Sequence, residues 1–304
     1  MNVVALAGGT GSAKLLRGLA KVVPRLKVIA NPGDNVWMHG LFVCPDLDIA
    51  VYSLAGIADR AKGWGVEDDT FGVLGQLSRL GQPAWFRLGD RDLATHILRT
   101  EMLRRGASLT QVTIRLCRLL GVKQSVLPAT DGRIETHVLT PEGEMHFQEF
   151  WVKHRARPKV RKVLYRGARA CHPTEQVERA LEEADLVIFC PANPVTSIGP
   201  ILAVSRMRRL LTSSHARLVG VSPMAGSSPF SGPAGIFLSA AGARPDSLGV
   251  ANLYAGLLDE FVIHQKDAAL KKEIEALRMK VRLSDTSMPS TVAEVRLAKE
   301  LLAR

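Results

Sequence analysis

Aromatic residues and cysteine pairs are scarce in this sequence of 304 residues. Phenylalanine, tryptophan and tyrosine make up only 5% of the chain, whereas sites for single-stranded nucleic acid interleave aromatic with basic side chains. The cysteines are far apart, with no CxxC pair and no Cys–His cluster at zinc spacing: Cys44, Cys117, Cys171 and Cys190. These absences argue against a stacking platform and against a zinc framework, and they predict buried free thiols.

Long apolar runs and a secretory leader are also missing. No stretch approaches the length that crosses a membrane. The run Val3–Ala7 reads as a short strand followed by glycines rather than as the core of a signal peptide. We therefore expect a cytoplasmic protein with no membrane partner.

The formal net charge of +11 permits nucleic-acid binding but does not require it. The basic residues are scattered, apart from the run Lys153–Lys162, which we interpret as a solvated strip. Consequently we expect no nucleic-acid partner. Some of these basic residues are available to bind a polyanionic small substrate.

A glycine-rich turn, LAGGTGSAKLL, lies between a strand-like and a helix-like run at Leu6–Leu16. It matches neither the dinucleotide fingerprint nor the Walker pattern. Gly9 and Gly11 still let a ligand approach the backbone, and Ser12 is a candidate N-cap. Helix N-terminal N–H groups favour an anion, and Lys14 adds a mobile charge. The alternative is an ordinary turn with a solvated lysine.

Short apolar strands alternate with helices in both halves of the chain, which predicts an α/β fold with a doubly wound, mostly parallel, Rossmann-like sheet. Loops at the carboxyl ends of such strands bind ligands. The expected elements are strand Val3–Ala7, helix Ser12–Val23, strand Leu26–Ala30, a helix and strand within Val177–Cys190, helix Pro200–Leu211 and strand Leu218–Val221.

The middle of the chain differs, being mostly helical over Gly65–Gly121. We predict a single catalytic unit with a nucleotide-binding core at 1–62 and 155–304 and an inserted α+β subdomain at 63–154. Ser108 is expected to cap a helix. Strands are expected at Ser125–Leu127, Ile134–Leu139 and His146–Val152, and two helices are expected from Asp267 onward.

Carboxylates follow the second strand and the next apolar segment. Asp34 lies in NPGDN, and Asp46 and Asp48 lie in CPDLDIAVYSLAG. Carboxylates beside a phosphate loop suggest Mg²⁺. Alternatively, Asp34 caps a helix that begins near Val36, and Asp46 makes a turn.

The segment WFRLGDRDLATH, Trp85–His96, is unusually dense in charge. One interpretation is a clamp in which arginine grips phosphate and aromatics cover a ring. The other is an internal salt-bridge network. His96 alone does not indicate acid–base work. No Ser-His-Asp signature is present, and phosphoryl transfer needs no covalent nucleophile.

Two later loops carry polar groups before or within turns. Asn193, Thr196 and Ser197 suit a ribose or diphosphate, and Ser222–Gly235 suits a base contacted by backbone groups. Both loops are equally compatible with structural turns, because proline and glycine dominate turns generally.

Taken in order, these segments resemble the CofD family of 2-phospho-L-lactate transferases over nearly the whole chain. The motifs that carry the resemblance are AGGTGSAKLLRGL, NPGDN, CPDLDIAVYSLAG, GWGVEDDTF, WFRLGDRDLATH, LPATDGRIETHV, HFQEFWV, PANPVTSIGPIL and SPMAGSSPFSGPAG. A nucleotide-binding regulator of the same fold is the alternative, but it should lack LGDRDxATH and FQ-x-W.

The resemblance implies a step in coenzyme F-420 biosynthesis. A 2-phospholactyl, phosphoenolpyruvyl or 3-phosphoglyceryl group moves from a guanosine-diphosphate-linked donor to the ribityl hydroxyl of the deazaflavin Fo. GMP leaves, Mg²⁺ is required, and a phosphodiester forms. The partners are therefore small molecules, and relatives suggest a homodimer.

The resemblance also implies roles for particular residues. Asp34, Asp48 and Arg91 are expected to be catalytic, and Asp34 and Asp48 are the expected Mg²⁺ ligands. The Fo side is expected to use Asp48, Trp85, Arg87, Asp90 and His96. The donor side is expected to use Gly9, Thr10, Gly11, Ser12, Lys14, Asn193, Ser197, Ser222 and Gly226.

Two departures from the family pattern stand out. The family often has GDD where this chain has Gly33-Asp34-Asn35, and usually TDD where it has Thr130-Asp131-Gly132. An amide carries no charge, so Asn35 is expected to weaken a metal site. An altered donor is one explanation for both changes.

Overall fold

The computed structural model describes residues 1–303. Its strands are β1 Val3–Ala7, β2 Leu26–Ala30, β3 Val36–Met38, β4 Leu41–Val43, β5 Ser125–Pro128, β6 Glu135–Thr140, β7 Gly143–His146, β8 Lys162–Arg166, β9 Leu186–Phe189, β10 Arg217–Val221, β11 Met224–Ala225, β12 Ser228–Pro229, β13 Glu260–His264 and β14 Lys280–Ser284. Its α-helices are α1 Gly9–Val22, α2 Pro45–Ala55, α3 Gly72–Arg79, α4 Asp90–Arg104, α5 Leu109–Leu119, α6 Glu175–Glu182, α7 Ile198–Ala203, α8 Met207–Ser213, α9 Ala234–Ala240, α10 Ser247–Leu253, α11 Lys271–Glu275 and α12 Thr291–Leu302.

Seven strands form the main sheet in the order β14-β13-β10-β9-β1-β2-β5, and every pairing in it is parallel. Both faces are covered, because alternate residues of β1 enter different apolar clusters: Val4 and Leu6 enter one, Val3 and Ala5 the other. The predicted doubly wound α/β fold is thus confirmed. From β1 the chain proceeds to β2 on one side and later to β9 on the other. The carboxyl end of β1 is therefore a topological switch point, where such sheets bind ligands.

Helix α1 begins earlier than the sequence predicts. Gly9, with φ of +67°, is already its first residue, and the extended Gly8 precedes it. Only glycine adopts a left-handed φ readily, so the chain turns into the helix directly after β1. The expectation that Ser12 is the N-cap is wrong. The Ser12 hydroxyl is buried and donates to the Gly8 carbonyl at 2.8 Å.

The middle of the chain is helical where expected, through α3, α4 and α5. Ser108 caps α5 in a reciprocal capping box with Gln111. The strand expected at His146–Val152 is wrong, because β7 ends at His146 and a π-helical turn follows at Glu149–Lys153. Phe147 and Phe150 both enter one apolar cluster. A helical turn allows this, whereas residues three apart on a strand face opposite sides.

Strands on either side of the expected boundaries of the subdomain at 63–154 pair with one another. Strand β5 pairs with β2 at the edge of the main sheet. The smaller sheet, β7-β6-β8, contains β8 at Lys162–Arg166, beyond the expected boundary. The middle segment is thus joined to the core through shared hydrogen-bonded strands.

Two expected helices also differ. The segment expected as helix Pro200–Leu211 is split into α7 and α8, because Arg206 has a φ of +69° between them. Residues 280–284 form strand β14 rather than helix, with all five paired to β13. The run Lys280–Ser284 alternates polar and apolar residues, which suits a strand, and its pairing with β13 extends along the whole run. No helix within residues 1–303 is long and apolar enough to cross a membrane.

We predict that Gly18→Ala destabilises the protein although alanine favours helices. A Cβ at Gly18 would lie 2.2 Å from the backbone oxygen of Glu294 in α12, and such overpacking costs about 1–3 kcal/mol. The matched control is Gly75→Ala in α3, where a Cβ would meet no atom within 4 Å. This control should gain up to about 1 kcal/mol from helix propensity. Urea unfolding measures both, and equal shifts of the same sign would contradict the assigned packing.

Candidate active site

A cavity of about 550 Å³ opens at the carboxyl ends of β1, β2 and β9. Ten of the predicted site residues line it: Gly9, Thr10, Gly11, Asp34, Asp48, Trp85, Arg87, His96, Asn193 and Ser197. Asp46 and Thr196, from the same predicted loops, line it as well. The structure does not bring six predicted residues to its lining: Ser12, Lys14, Asp90, Arg91, Ser222 and Gly226.

The loops after β1, β2 and β9 are joined by a buried polar network around Asp46. The Gly9 N–H donates to Asp46 Oδ1 at 2.8 Å, and the Asn31 amide donates to Asp46 Oδ2 at 2.8 Å. The same amide nitrogen donates to the Thr196 carbonyl at 3.2 Å. Gly8 is required here, since a Cβ would lie 2.6 Å from Asp46 Oδ2. Asp46 thus lies in the first turn of α2 and fixes the glycine-rich loop, rather than making a simple turn.

Asp34 and Asp46 form a buried acidic pair at this edge. Burial raises the pKa of Asp46 to about 6, against hydrogen bonds that lower it. Burial and the nearby Asp46 charge raise the pKa of Asp34 well above its usual value. Asp34 Oδ1 is buried without a hydrogen-bond partner within residues 1–303. The alternative role as a helix cap is wrong, because Val36 begins β3. An orphaned carboxylate oxygen beside a second carboxylate fits a hard cation such as Mg²⁺.

Asp48 is held differently, by an arginine that the sequence patterns do not single out. Arg99 of α4 is buried, with 1% of its surface exposed, and both terminal nitrogens contact the Asp48 carboxylate. Burial opposes the charge of Arg99, but Asp48 outweighs it and raises the pKa of the guanidinium. Arg99 already balances the charge of Asp48, whereas Asp34 and Asp46 form no ion pair among residues 1–303 and Asp46 accepts only from neutral donors. The charges therefore favour Asp34 with Asp46 over Asp48 as a metal pair. The only sequence signal for Arg99 is its place one turn after His96.

Tyr52, Asp92 and His96 extend this buried network. The Tyr52 hydroxyl donates to Asp92 Oδ1 at 2.7 Å. His96 Nε2 lies 3.3 Å from Asp92 Oδ1, without a well-directed hydrogen bond, and its Nδ1 lies 3.7 Å from Asp48 Oδ2. Burial raises the pKa of Asp92, but the contacts with His96 and Tyr52 outweigh it, so that the pKa is lowered overall. Ligand atoms of Asp48, Asp92 and His96 lie within 4.8 Å of one another.

Asp90 and Arg91 hold a neighbouring loop. Asp90 accepts hydrogen bonds from the Thr70 hydroxyl at 2.6 Å and from the backbone N–H of Val73 at 2.9 Å. These bonds, the Thr70 contact first, lower the pKa of Asp90. Arg91 donates to the Glu67 carbonyl at 2.9 Å. Of the two interpretations of this segment, the internal network therefore describes Asp90 and Arg91, which form the first turn of α4.

An aromatic wall forms another part of the cavity lining. Trp64, Trp85 and Phe86 line it, with Trp85 and Phe86 edge to face at 5.7 Å. The Arg87 guanidinium lies over the Phe71 ring at 4.4 Å. This wall offers flat apolar surfaces next to a cation.

The third predicted loop reaches the cavity through other residues than expected. The Ser222 and Ser247 hydroxyls lie 2.8 Å apart, and Ser247 donates to Asp267 Oδ2 at 2.6 Å. The Gly226 N–H donates to Asp267 Oδ1 at 2.8 Å. Asp267 thereby fixes this loop, while Ser231, Gly232 and Pro233 line the cavity.

Neither departure from the family pattern lines the cavity. Asn35 is buried behind Asp34, and its Oδ1 has no hydrogen-bond partner in the described chain. Gly132 lies against Cys171, whose sulfur would be 2.7 Å from a Cβ at that position. A larger residue at Gly132 therefore requires a shift of its neighbours.

The chain is similar to known proteins over almost its whole length. One family, 2-phospho-L-lactate transferase CofD, matches residues 3–299. The chain is 40% identical to a 2-phospho-L-lactate transferase of Methanosarcina mazei, over 98% of each chain. It is 42% identical to a phosphoenolpyruvate transferase of Streptomyces griseus, over 99% of this chain and 98% of the relative.

A solved structure shares the fold. It is a protein of the UPF0052 family from Bacillus halodurans, with a TM-score of 0.68 and 17% identity over 99% of this chain and 98% of the other. At that identity the likeness shows the architecture alone. The family match and the two relatives each span almost the whole chain, so the chain belongs to the 2-phospho-L-lactate transferase CofD family.

Proposed function

We propose that the protein transfers a 2-phospholactyl, phosphoenolpyruvyl or 3-phosphoglyceryl group from a guanosine-diphosphate-linked donor to the ribityl hydroxyl of the deazaflavin Fo. GMP is released in this step of coenzyme F-420 biosynthesis. One observation carries the proposal: a single cavity joins the glycine-rich loop and the acidic pair to an aromatic wall beside Asp48.

The donor fits the side of the cavity formed by the loops after β1 and β9. Thr10 and Gly11 lie at the start of α1, where the helix favours anionic phosphate. Gly9 contributes less than its motif suggests, since its N–H already donates to Asp46. Asn193 Oδ1 accepts from the Val195 N–H at 3.0 Å, while its Nδ2 is buried without a partner in residues 1–303. That amide is a free donor for an oxygen of the ligand.

Asp34 and Asp46 would hold Mg²⁺. When bound, the ion neutralises charge on the donor phosphates. Asp46 also positions the loop through Gly9, so the metal and the phosphate site share one anchoring residue.

The acceptor fits the part of the cavity that carries the aromatic side chains. Trp64, Trp85 and Phe86 present flat surfaces to a deazaflavin ring. Asp48, fixed by Arg99, accepts a hydrogen bond from the attacking hydroxyl and takes its proton as the new bond forms. The hydroxyl oxygen bonds to the phosphorus that carries the acid. The bond from that phosphorus to the bridging oxygen breaks, and GMP leaves with that oxygen.

Location and assembly stay predictions. We propose a cytoplasmic homodimer, as relatives suggest, with small-molecule partners only. Size-exclusion chromatography with light scattering measures the assembly directly.

A direct assay tests the proposed reaction. Purified protein, Mg²⁺ and Fo are combined in separate reactions with the lactyl, enolpyruvyl and glyceryl donors, and products are identified by mass. A phosphodiester in one reaction supports the proposal and names the acid. Binding of the donor with no product from any of the three would reject the transferase assignment and favour the nucleotide-binding regulator.

We predict that Asp48→Asn lowers kcat by about 10²- to 10⁴-fold, the usual contribution of a positioned proton acceptor. The protein should also melt at a lower temperature, because Arg99 loses a buried charged partner. Glu101→Gln is the control, since Glu101 is an exposed carboxylate on α4 paired only with Arg105. Unchanged kcat in Asp48→Asn would remove Asp48 from the mechanism.

We predict that metal affinity falls as pH drops through the pKa of Asp46, about 6. Above that pH the pair can give up its proton to a cation; below it, the proton competes. Because the pKa of Asp34 is raised as well, at least one proton is displaced per ion, and binding weakens at least about tenfold per pH unit. Titration with Mn²⁺, followed by its paramagnetic signal, measures this between pH 7 and pH 5.

Two variants identify the metal pair in the same titration. Asp34→Asn should abolish Mn²⁺ binding, whereas Asp48→Asn should retain it, because Asp48 is engaged by Arg99. The reverse result would assign the ion to Asp48. Melting curves of each variant without metal show whether the fold is intact.

A further inference from the structure

One wall of the cavity comes from the segment that follows β7. Phe147, Gln148, Trp151 and Val152 line it together with Arg155. Phe147 and Phe150 pack with Val195, so this wall adjoins the loop after β9. It therefore adjoins the part of the cavity assigned to the donor.

We propose that Arg155 binds the carboxylate of the acid that the donor carries, and so selects donors by that group. The inference rests on the proposed function, because it names a subsite for one part of the proposed donor. Arg155 belongs to the basic run Lys153–Lys162, interpreted from sequence as a solvated strip; it is exposed, and it also lines the cavity.

The backbone at Arg155 has an unusual conformation. Arg155 and Ala156 both have φ of 52°, in the left-handed region that disfavours residues with a Cβ. Strain of this kind persists where the surroundings determine it. Here the Ala156 N–H donates to the Phe150 carbonyl at 2.9 Å, and the His154 N–H donates to the Glu149 carbonyl at 3.0 Å. Ala156 also packs against the apolar cluster of Phe147 and Phe150.

The Arg155 guanidinium has no ion-pair partner within the described chain. No carboxylate among the described residues forms an ion pair with Arg155. Of the described lining residues, only Arg87 and Arg155 are cationic at every pH, and Arg87 lies over Phe71 beside the acceptor wall. Arg155 is accordingly the permanent positive charge on the donor wall.

Each anionic group of the donor can be matched to one positive feature of the site. The diphosphate matches the start of α1 and a cation held by Asp34 and Asp46. The acid carboxylate is the remaining anion. A guanidinium presents a planar fork that matches a carboxylate with two parallel hydrogen bonds, which a lysine cannot reproduce.

Binding measurements with two ligands test the assignment. One ligand is the lactyl donor, and the other is the ethyl ester of GDP, which has the same diphosphate link but no carboxylate. Quenching of tryptophan fluorescence gives Kd for both, because Trp64, Trp85 and Trp151 line the cavity. We expect Arg155→Gln to weaken the lactyl donor about 10- to 100-fold, as loss of a charged hydrogen bond does. The ethyl ester should change less than twofold, and Arg155→Lys should recover only part of the loss.

The outcomes separate the competing interpretations. Equal weakening of both ligands would assign Arg155 to the diphosphate and overturn the proposal, and unchanged binding of both would overturn it too. If wild-type protein binds neither ligand, this proposal and the proposed function both fail. If it binds both ligands with the expected pattern but forms no product, the carboxylate subsite stands and the transferase fails.

Two further variants guard against effects on folding. Arg157→Gln is the matched control, because Arg157 is an exposed arginine two residues along that does not line the cavity. Arg155→Gly removes the side chain where glycine suits the left-handed backbone. It should melt no lower than wild type and still lose the preference for the carboxylate-bearing donor.

Discussion

The carboxylate of Asp46 holds the functional edge of the sheet together. It accepts hydrogen bonds from the backbone of Gly9 and from Asn31, and Asn31 in turn reaches the Thr196 carbonyl. These contacts join the loops after three adjacent parallel strands at the topological switch point. The close approach requires glycine at position 8. Without this crosslink the glycine-rich loop would be a flexible turn rather than a fixed phosphate-binding element.

The buried acids divide into two sets with different roles. Asp48 and Asp92 are satisfied within the protein by Arg99, Tyr52 and His96. Asp34 and Asp46 have no cation beside them among residues 1–303, and one oxygen of Asp34 has no partner. Burial of like charges is costly unless a counter-ion or a proton is present. Asp48 and Asp92, which are already satisfied within the protein, are therefore suited to orient a reacting group. Asp34 and Asp46, which are not, are suited to bind a metal.

Much of the fold could be predicted because its signals are local. The apolar runs at Val3–Ala7 and Leu186–Phe189 are short, bounded and fully buried, so they identify parallel strands. The glycine turn and the capping box at Ser108 depend on nearby residues as well. By contrast, β14 is a short run whose polar and apolar alternation is completed by pairing with β13, and the π-helical turn at Glu149–Lys153 is set by the apolar cluster beneath it. Contacts made at long range decided those two segments.

The sequence by itself determined the family, the parallel sheet and the loops that reach its carboxyl edge, since these depend on ordered motifs and on local periodicity. Only the tertiary structure decided which members of each motif reach the cavity. Asp90 and Arg91 lie within a dense motif but bind a neighbouring loop, whereas Arg99 and Arg155 lie outside the expected set and are placed at the site. The direction of a side chain and its buried partner depend on elements that are distant in sequence, and no local pattern records them.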